Sequence, residues 1–192
     1  MQELIQKIGQ AKAYIDNGMC RVGPRLRRGL RAESLMSGGA GRSLALADAV
    51  VQLCRQDHPN EALPVLRHLI EMAAVMRWVA VSEDAERDAA VVLDATDDAR
   101  WEDLWSSERL LERARRGGIP EEEVRRVLAL CGDFTRGGRA AVPWAHLFPE
   151  NLHAGADART VLSLTVRMMG HVLKALDTRW PAAFPGAEAM WA

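Results

Sequence analysis

Lysine, cysteine and long apolar runs are all scarce in this sequence, and two of these shortages exclude a class of protein. The longest stretch without a charged residue is residues 140–149, ten residues, whereas a membrane-spanning helix needs about 18 or more. The three cysteines are odd in number and widely spaced, which does not fit a disulfide framework and favours a reducing cytoplasm. The net charge is −1, so no overall field attracts nucleic acid or an anionic membrane. We therefore expect a cytoplasmic protein that does not bind membranes.

The cationic residues are almost all arginine. Of the 25 cationic side chains only Lys7, Lys12 and Lys174 are lysines. The excess follows either from a genome rich in arginine codons or from a need for bidentate anion binding, which lysine cannot supply. Composition alone does not distinguish the two explanations.

Helical periodicity dominates what the sequence does contain. Apolar residues recur at three- and four-residue intervals, and no segment alternates as a strand would. The most apolar segment, residues 61–81, is apolar almost all round, and Pro64 fits it only in a first turn. Such a helix is typical of the centre of a bundle. The sequence predicts an all-α fold, a bundle of about six to eight helices around this central helix.

Glycine and proline suggest how the chain is divided. Residues 37–43 are rich in glycine, which loses the most entropy on ordering, and are expected to form a linker. Residues 1–36 would then be an N-terminal helical arm and residues 44–179 the helical bundle domain. Residues 180–192 form an apolar tail with prolines and tryptophans, expected to pack against the body or a second subunit.

Three polar side chains stand out in the central helix. At about 100° per residue, Arg67, His68 and Glu71 form one polar arc on an otherwise apolar rod. Arg67 and Glu71, four residues apart, can reach one another, and charges taken out of water need such partners. The pair is a structural ion pair that fixes the helix register, or an anion-binding arginine held by Glu71 with His68 beside it. The third alternative is an arc that faces solvent.

A second candidate region is the loop at residues 144–153. It carries two histidines, one proline with a second, Pro143, just before the loop, two aromatic residues and one asparagine, and binding residues tend to lie on such loops. We expect Trp144 and Asn151 to contact a ligand, and His146 and His153 to donate hydrogen bonds or move protons. The alternative for each histidine is a packing or capping role.

We expect no metal and no cofactor. His146 and His153 are seven residues apart and lack a third ligand at metal-binding spacing. His171 lies within the last apolar helix and is expected to be a hydrogen-bonded core histidine.

Two of these motifs carry a family resemblance. The helix that contains Leu66-Arg-His-Leu-Ile-Glu71 and the later Pro149-Glu-Asn-Leu-His153 resemble a bacterial all-helical family of unknown function. In that family a Leu-Arg-x-Leu-x-Glu helix precedes a short aromatic segment that ends in histidine. The resemblance covers roughly residues 44–178. That family is similar to the HEPN nucleotide-binding and ribonuclease domains, whose motif has four to six residues between an arginine and a histidine, as Arg139 and His146 do here with six between them.

The leading hypothesis is a pocket in the bundle that binds a small anionic or nucleotide-like ligand, in a binding protein or an enzyme. Arg67 would hold the anion, Glu71 would orient Arg67, and His153 would donate a hydrogen bond or transfer a proton.

Two alternatives remain open. One is a HEPN-type, metal-independent endoribonuclease or toxin, in which His146 or His153 is the general acid–base. Arg139 would stabilise the phosphorane, and the arginine-rich segment at residues 21–31 would contact RNA phosphates. The other is a non-catalytic helical module that dimerises. We expect a homodimer, which is compatible with every hypothesis.

Overall fold

The described part of the chain is helical throughout. A computed structural model describes residues 1–27, 29–95, 103–135 and 156–190. These residues form seven α-helices and two short 3-10 helices, with no strand among them, which confirms the all-α fold class. The α-helices are α1 (Gln2–Val22), α2 (Arg31–Arg55), α3 (Ala62–Val81), α4 (Ala85–Leu93), α5 (Ser107–Arg116), α6 (Glu121–Thr135) and α7 (Ala158–Arg179). None of these helices is long and apolar enough to cross a membrane.

Helix α3 is the centre of the bundle, as its sequence predicts. It contacts α2, α4, α5, α6 and α7, and Leu66, Leu69 and Ile70 are completely buried. Pro64 lies in the first turn of the helix, where its missing N–H has no carbonyl partner to lose. Burial on nearly every face explains why the helix carries so few polar residues, and why those few need partners.

Contacts between helix ends establish the direction of the helices. The Asn60 side chain, just before α3, accepts a hydrogen bond from the Ala156 N–H, just before α7. Near the other ends of these helices Arg77 contacts Thr178, so α3 and α7 run parallel. Helix α6 runs the opposite way and brings Cys131 beside the first turn of α3. One end of the bundle therefore gathers the starts of α3 and α7 and the end of α6.

The predicted linker at residues 37–43 is wrong, because helix α2 runs through it without a break. Gly39 packs against Met76 of α3, and a Cβ atom at this glycine would lie 2.8 Å from the Met76 sulfur. Ala40 and Ser43 are buried. Glycine thus serves close helix packing here and not chain flexibility.

The division at residue 36 also fails. Residues 31–36 belong to α2, and α1 packs along α7. Ile8, Ala11 and Ile15 of α1 are buried in the same core as α3. Helix α1 is part of the bundle and not a separate arm.

The tail packs against the body, one of the two places predicted for it. Phe184 is buried over Gly18 of α1, where a Cβ atom would lie 2.0 Å from the Phe184 ring. The Arg21 side chain donates to the Ala183 carbonyl at 2.9 Å.

Candidate functional site

The polar arc of α3 is a connected cluster, which we call the Arg67 cluster: Arg67, His68 and Glu71. Arg67 Nε lies 3.1 Å from Glu71 Oε1, and His68 Nδ1 lies 3.3 Å from Glu71 Oε2. The exposed fraction of the side chain is 11% for Glu71, 22% for Arg67 and 40% for His68. Each oxygen of the nearly buried carboxylate therefore contacts one cationic or titratable neighbour, and the arc is neither wholly closed nor simply solvated.

The cluster leaves specific atoms available. Within the part of the chain that the structure describes, Arg67 forms a side-chain hydrogen bond through Nε alone. Its Nη1 and Nη2 atoms, the edge that binds a carboxylate or phosphate in a bidentate manner, are not engaged there. His68 uses Nδ1 for Glu71, which leaves Nε2 on the opposite side of the ring. The arrangement can therefore bind an anion through a guanidinium that is already held in place.

Cys131 of α6 adjoins this cluster. Its thiol lies 3.2 Å from the Leu63 carbonyl oxygen, to which it donates, and the residue is fully buried. Burial raises the pKa of Cys131 to about 12; the charge of Arg67 acts in the opposite direction, and that of Glu71 adds to the rise. The thiol therefore stays protonated at neutral pH and is not prepared to act as a nucleophile.

The other predicted site residues lie outside the described residues, and their roles stay predictions. These residues are Arg139, Trp144, His146, Asn151 and His153. The same holds for the ribonuclease hypothesis, which depends on three of them. Of the eight candidates, the structure brings Arg67, His68 and Glu71 together.

A second carboxylate pairs with a histidine and an arginine in α6 and α7, a cluster that the sequence analysis missed. His171 Nε2 lies 3.4 Å from Glu123 Oε2, and Arg167 lies 3.9 Å from Glu123 Oε1. The contact confirms His171 as a hydrogen-bonded core histidine. The hydrogen bond from His171 lowers the pKa of Glu123, and the charges of His171 and Arg167 add to it against the opposing effect of burial. The partners lie 48 residues apart in sequence, so no local spacing points to the pair.

Two buried arginines lie near the other end of α3. The Arg113 guanidinium stacks over the Trp78 and Trp105 rings, 5.3 and 5.9 Å from their centroids. It donates to the Leu104 carbonyl at 2.5 Å. Cation–π contacts with a backbone hydrogen bond compensate a buried charge without a carboxylate.

Arg77 has less compensation. It is 5% exposed, its terminal nitrogen Nη1 lies 3.5 Å from Thr178 Oγ1, and its Nε is buried without a hydrogen-bond partner among the described residues. Burial lowers its pKa. The sequence analysis did not single out Arg77, although a charged residue next to Trp78 in an apolar helix is a signal that could have identified it.

Metal-binding side chains are not grouped in the described parts of the chain. Residues 1–27, 29–95, 103–135 and 156–190 contain no cluster of three or more histidine, cysteine, aspartate or glutamate side chains that could hold a metal ion.

The comparisons with known proteins give a family without an activity. No curated protein and no solved structure matches the chain. The model of one family of unknown function, DUF5677, matches residues 33–131, slightly more than half of the chain. The match contains the whole Arg67 cluster and Cys131, and it confirms the expected membership of a family of unknown function. The similarity to HEPN domains stays a prediction. The chain belongs to the DUF5677 family.

Proposed function

We propose that this protein binds a small anionic, nucleotide-like ligand at the Arg67 cluster. One observation carries the proposal: Glu71 holds Arg67 through Nε and His68 through Nδ1, so that the terminal guanidinium nitrogens and the second imidazole nitrogen have no hydrogen-bond partner among the described residues.

The way in which Glu71 is shared supports a binding role over a purely structural one. A carboxylate that only neutralises an arginine can form a fork-to-fork pair with two guanidinium nitrogens. Glu71 instead divides its two oxygens between Arg67 and His68. This division fixes the orientation of both side chains and keeps the anion-binding edge of Arg67 free.

Burial of the carboxylate strengthens the same point. Glu71 is 11% exposed as a side chain, and removing a charge from water costs several kcal/mol unless partners compensate it. The two partners supply that compensation, and they are themselves only partly buried. A rigid, buried orienting group behind partly exposed donors is the arrangement of a preorganised binding site.

Phosphate is the ligand chemistry that fits these donors best. The guanidinium edge matches two phosphate oxygens, and His68 has a second ring nitrogen, Nε2, that its contact with Glu71 does not use. The neighbouring Cys131 thiol is protonated and donates to a backbone carbonyl, so it is not a ready nucleophile. The proposal is therefore one of binding, without a covalent step.

Adenosine monophosphate and orthophosphate are suitable probes, measured by amide NMR shifts and by calorimetry. We expect wild type to bind adenosine monophosphate, with shifts at residues 67–71. Arg67→Lys keeps the charge but removes the fork, and should weaken binding at least tenfold, roughly the effect of one lost bidentate contact. Glu71→Gln should weaken it less, because the guanidinium remains but loses its charged anchor.

Arg115→Lys is the matched control, because Arg115 is exposed on α5. This variant should bind adenosine monophosphate as wild type does. Wild-type protein that binds neither probe would contradict the proposal. A folded Arg67→Lys variant with unchanged affinity would do the same.

A further inference from the structure

A separate polar pocket lies between α1, α6 and α7. It has a volume of about 380 Å³ and is lined by Arg126, Arg159, Thr160, Ser163, Arg167 and Leu4, among others. We infer that this pocket binds a small phosphorylated organic molecule, and we call it the arginine pocket.

The pocket is built by helical spacing. Arg159, Ser163 and Arg167 are four residues apart along α7, so their side chains lie on one face of the helix. Arg126 joins them from α6, whose Glu123 contacts Arg167 and His171 of α7. Three guanidinium groups from two helices therefore line one cavity.

Acidic residues nearby compensate these arginines only in part. Glu3 lines the pocket and its charge interacts with Arg159, but its close partner is Lys7 at 3.0 Å. Glu123 lies 3.9 Å from Arg167 and is shared with His171. Among the described residues, neither Arg126 nor Arg159 has a carboxylate within 4.0 Å. The pocket keeps an excess of positive charge.

The N-terminus of α7 is not the source of this charge. Asp157 caps the helix and accepts hydrogen bonds from the Thr160 N–H at 2.8 Å and the Thr160 hydroxyl at 2.7 Å. The first turn of α7 therefore has its own counter-charge. The anion-binding capacity comes from the guanidinium groups.

Like charges that converge on one cavity repel one another, and a bound anion removes this repulsion. Guanidinium groups bind phosphate oxygens in pairs, and the half-buried Ser163 hydroxyl is a further donor at the same wall. Ligand pockets typically measure about 300–1,000 Å³, so this cavity has room for an organic group beside the phosphate, against Leu4 and Leu164. These features together favour a phosphate ester.

The inference goes beyond the proposed function and does not depend on it. The Arg67 cluster belongs to α3 and faces Cys131 on α6, whereas α1, α6 and α7 line the arginine pocket, and no residue is common to both. The α7 residues of the pocket, Arg159, Ser163 and Arg167 among them, lie outside the region that matches the family model, whereas Arg126 lies within it.

Titration calorimetry with inorganic pyrophosphate and with glycerol 3-phosphate tests the inference. We expect wild type to bind both probes, and Arg67→Gln protein, which lacks the phosphate site proposed above, to bind each of them one to one. Arg126→Gln and Arg159→Gln each remove one exposed guanidinium, so both variants should fold normally and bind at least tenfold more weakly.

Two control variants distinguish binding at the arginine pocket from an effect of net charge and from binding at the Arg67 cluster. Arg125→Gln removes an equal charge from the adjacent residue of α6, where the side chain pairs with Glu121 at 2.6 Å. Arg67→Gln removes the other candidate site. Both controls should keep the binding of pyrophosphate at the arginine pocket.

Three results would overturn the inference. The first is wild-type protein that binds neither probe at millimolar concentration. The second is Arg125→Gln or Arg67→Gln weakening binding as much as Arg159→Gln does. The third is a single-stranded RNA oligonucleotide that binds through Arg126 and Arg159 while glycerol 3-phosphate does not bind, which would assign the pocket to nucleic acid.

Discussion

Arg67 and Arg77 lie ten residues apart on the same helix, and their charges in the apolar bundle are accommodated in opposite ways. Arg67 is 22% exposed, and a buried carboxylate holds it through Nε. Arg77 is almost fully buried, and its best contact is a 3.5 Å approach to the Thr178 hydroxyl. Glu71 compensates the charge of the partly exposed Arg67. The charge of Arg77 is buried and opposes folding, and only the packing of its methylene stem favours the folded state. On helix α3, the arginine that a carboxylate orients is therefore the candidate binding residue, and the buried arginine is not.

The largest expected effect comes from disturbing the packing around Arg77. A Cβ atom at Gly117 would lie 2.6 Å from the Arg77 Cβ and 2.9 Å from the Trp78 backbone nitrogen. Because backbone atoms cannot move aside cheaply, Gly117→Ala should lower the free energy of unfolding by about 3 kcal/mol. Urea denaturation measures this loss.

Gly9→Ala is its control, because no atom lies within 4 Å of a Cβ built there. A helical glycine replaced without a clash should leave stability unchanged or raise it by about 0.5–1 kcal/mol. Equal stability of the two variants would show that α5 and α3 do not approach as closely as described.

The two buried arginines should respond differently to the loss of charge. Arg113→Met removes stacking on Trp78 and Trp105 and leaves the Leu104 carbonyl without its donor. We expect it to cost about 2 kcal/mol. Arg77→Met keeps the buried stem and removes a charge whose pKa burial lowers, so it should be neutral or stabilising.

Thermal and urea unfolding of both methionine variants, with Arg115→Met as an exposed control, decide this prediction. A loss for Arg77→Met as large as for Arg113→Met would mean that the Arg77 charge contributes to the fold.

The acidic limb of the stability curve should depend on Glu123. Its pKa is lower in the folded protein than its usual value of 4.5, chiefly through the hydrogen bond from His171. The folded state therefore binds fewer protons than the unfolded state in this pH range. The stabilisation that Glu123 contributes is complete above about pH 4.5 and is lost as the pH falls through the lower pKa of the folded protein. Glu123→Gln should remove about 1 kcal/mol at pH 7 and flatten the curve in this acidic window.

Glu122→Gln controls for the first-turn charge of α6, because Glu122 lies in the same turn and is exposed. The measurement is urea unfolding between pH 3 and pH 7. Equal flattening in both variants would assign the effect to the helix dipole.

The sequence predicts the fold best where its apolar period is strongest. Residues 61–81 were expected to be the central helix, and the structure has α3 at Ala62–Val81. The linker prediction failed at residues 37–43, because the role of Gly39 depends on Met76 of another helix. The conformational propensity of glycine reflects the entropy that it loses on ordering. It carries no information about whether the side chain of a neighbouring helix, here Met76, occupies the space beside it.

The candidate site shows the same limit. The contact between Arg67 and Glu71 follows from their spacing of four residues, and it could be predicted. The arginine pocket needs α6 and α7 side by side, so the sequence does not predict it, although the spacing of Arg159, Ser163 and Arg167 marks one of its walls. Local periodicity finds contacts within a helix, and contacts between helices need the fold.

The smallest expected change in stability sharpens the comparison most. The structural alternative for Arg67 is an ion pair that fixes the register of α3, and truncating one partner of such a pair costs about 3–5 kcal/mol when it is fully buried. Arg67 is partly exposed, and Glu71 keeps His68 as a second partner. Arg67→Met should therefore cost less than about 1 kcal/mol, yet abolish the binding of adenosine monophosphate. Paired measurement of urea unfolding and ligand affinity on this single variant separates the two roles: a large loss of stability would make the cluster structural, whereas a stable protein that no longer binds would make Arg67 a ligand-binding residue that the fold can lose.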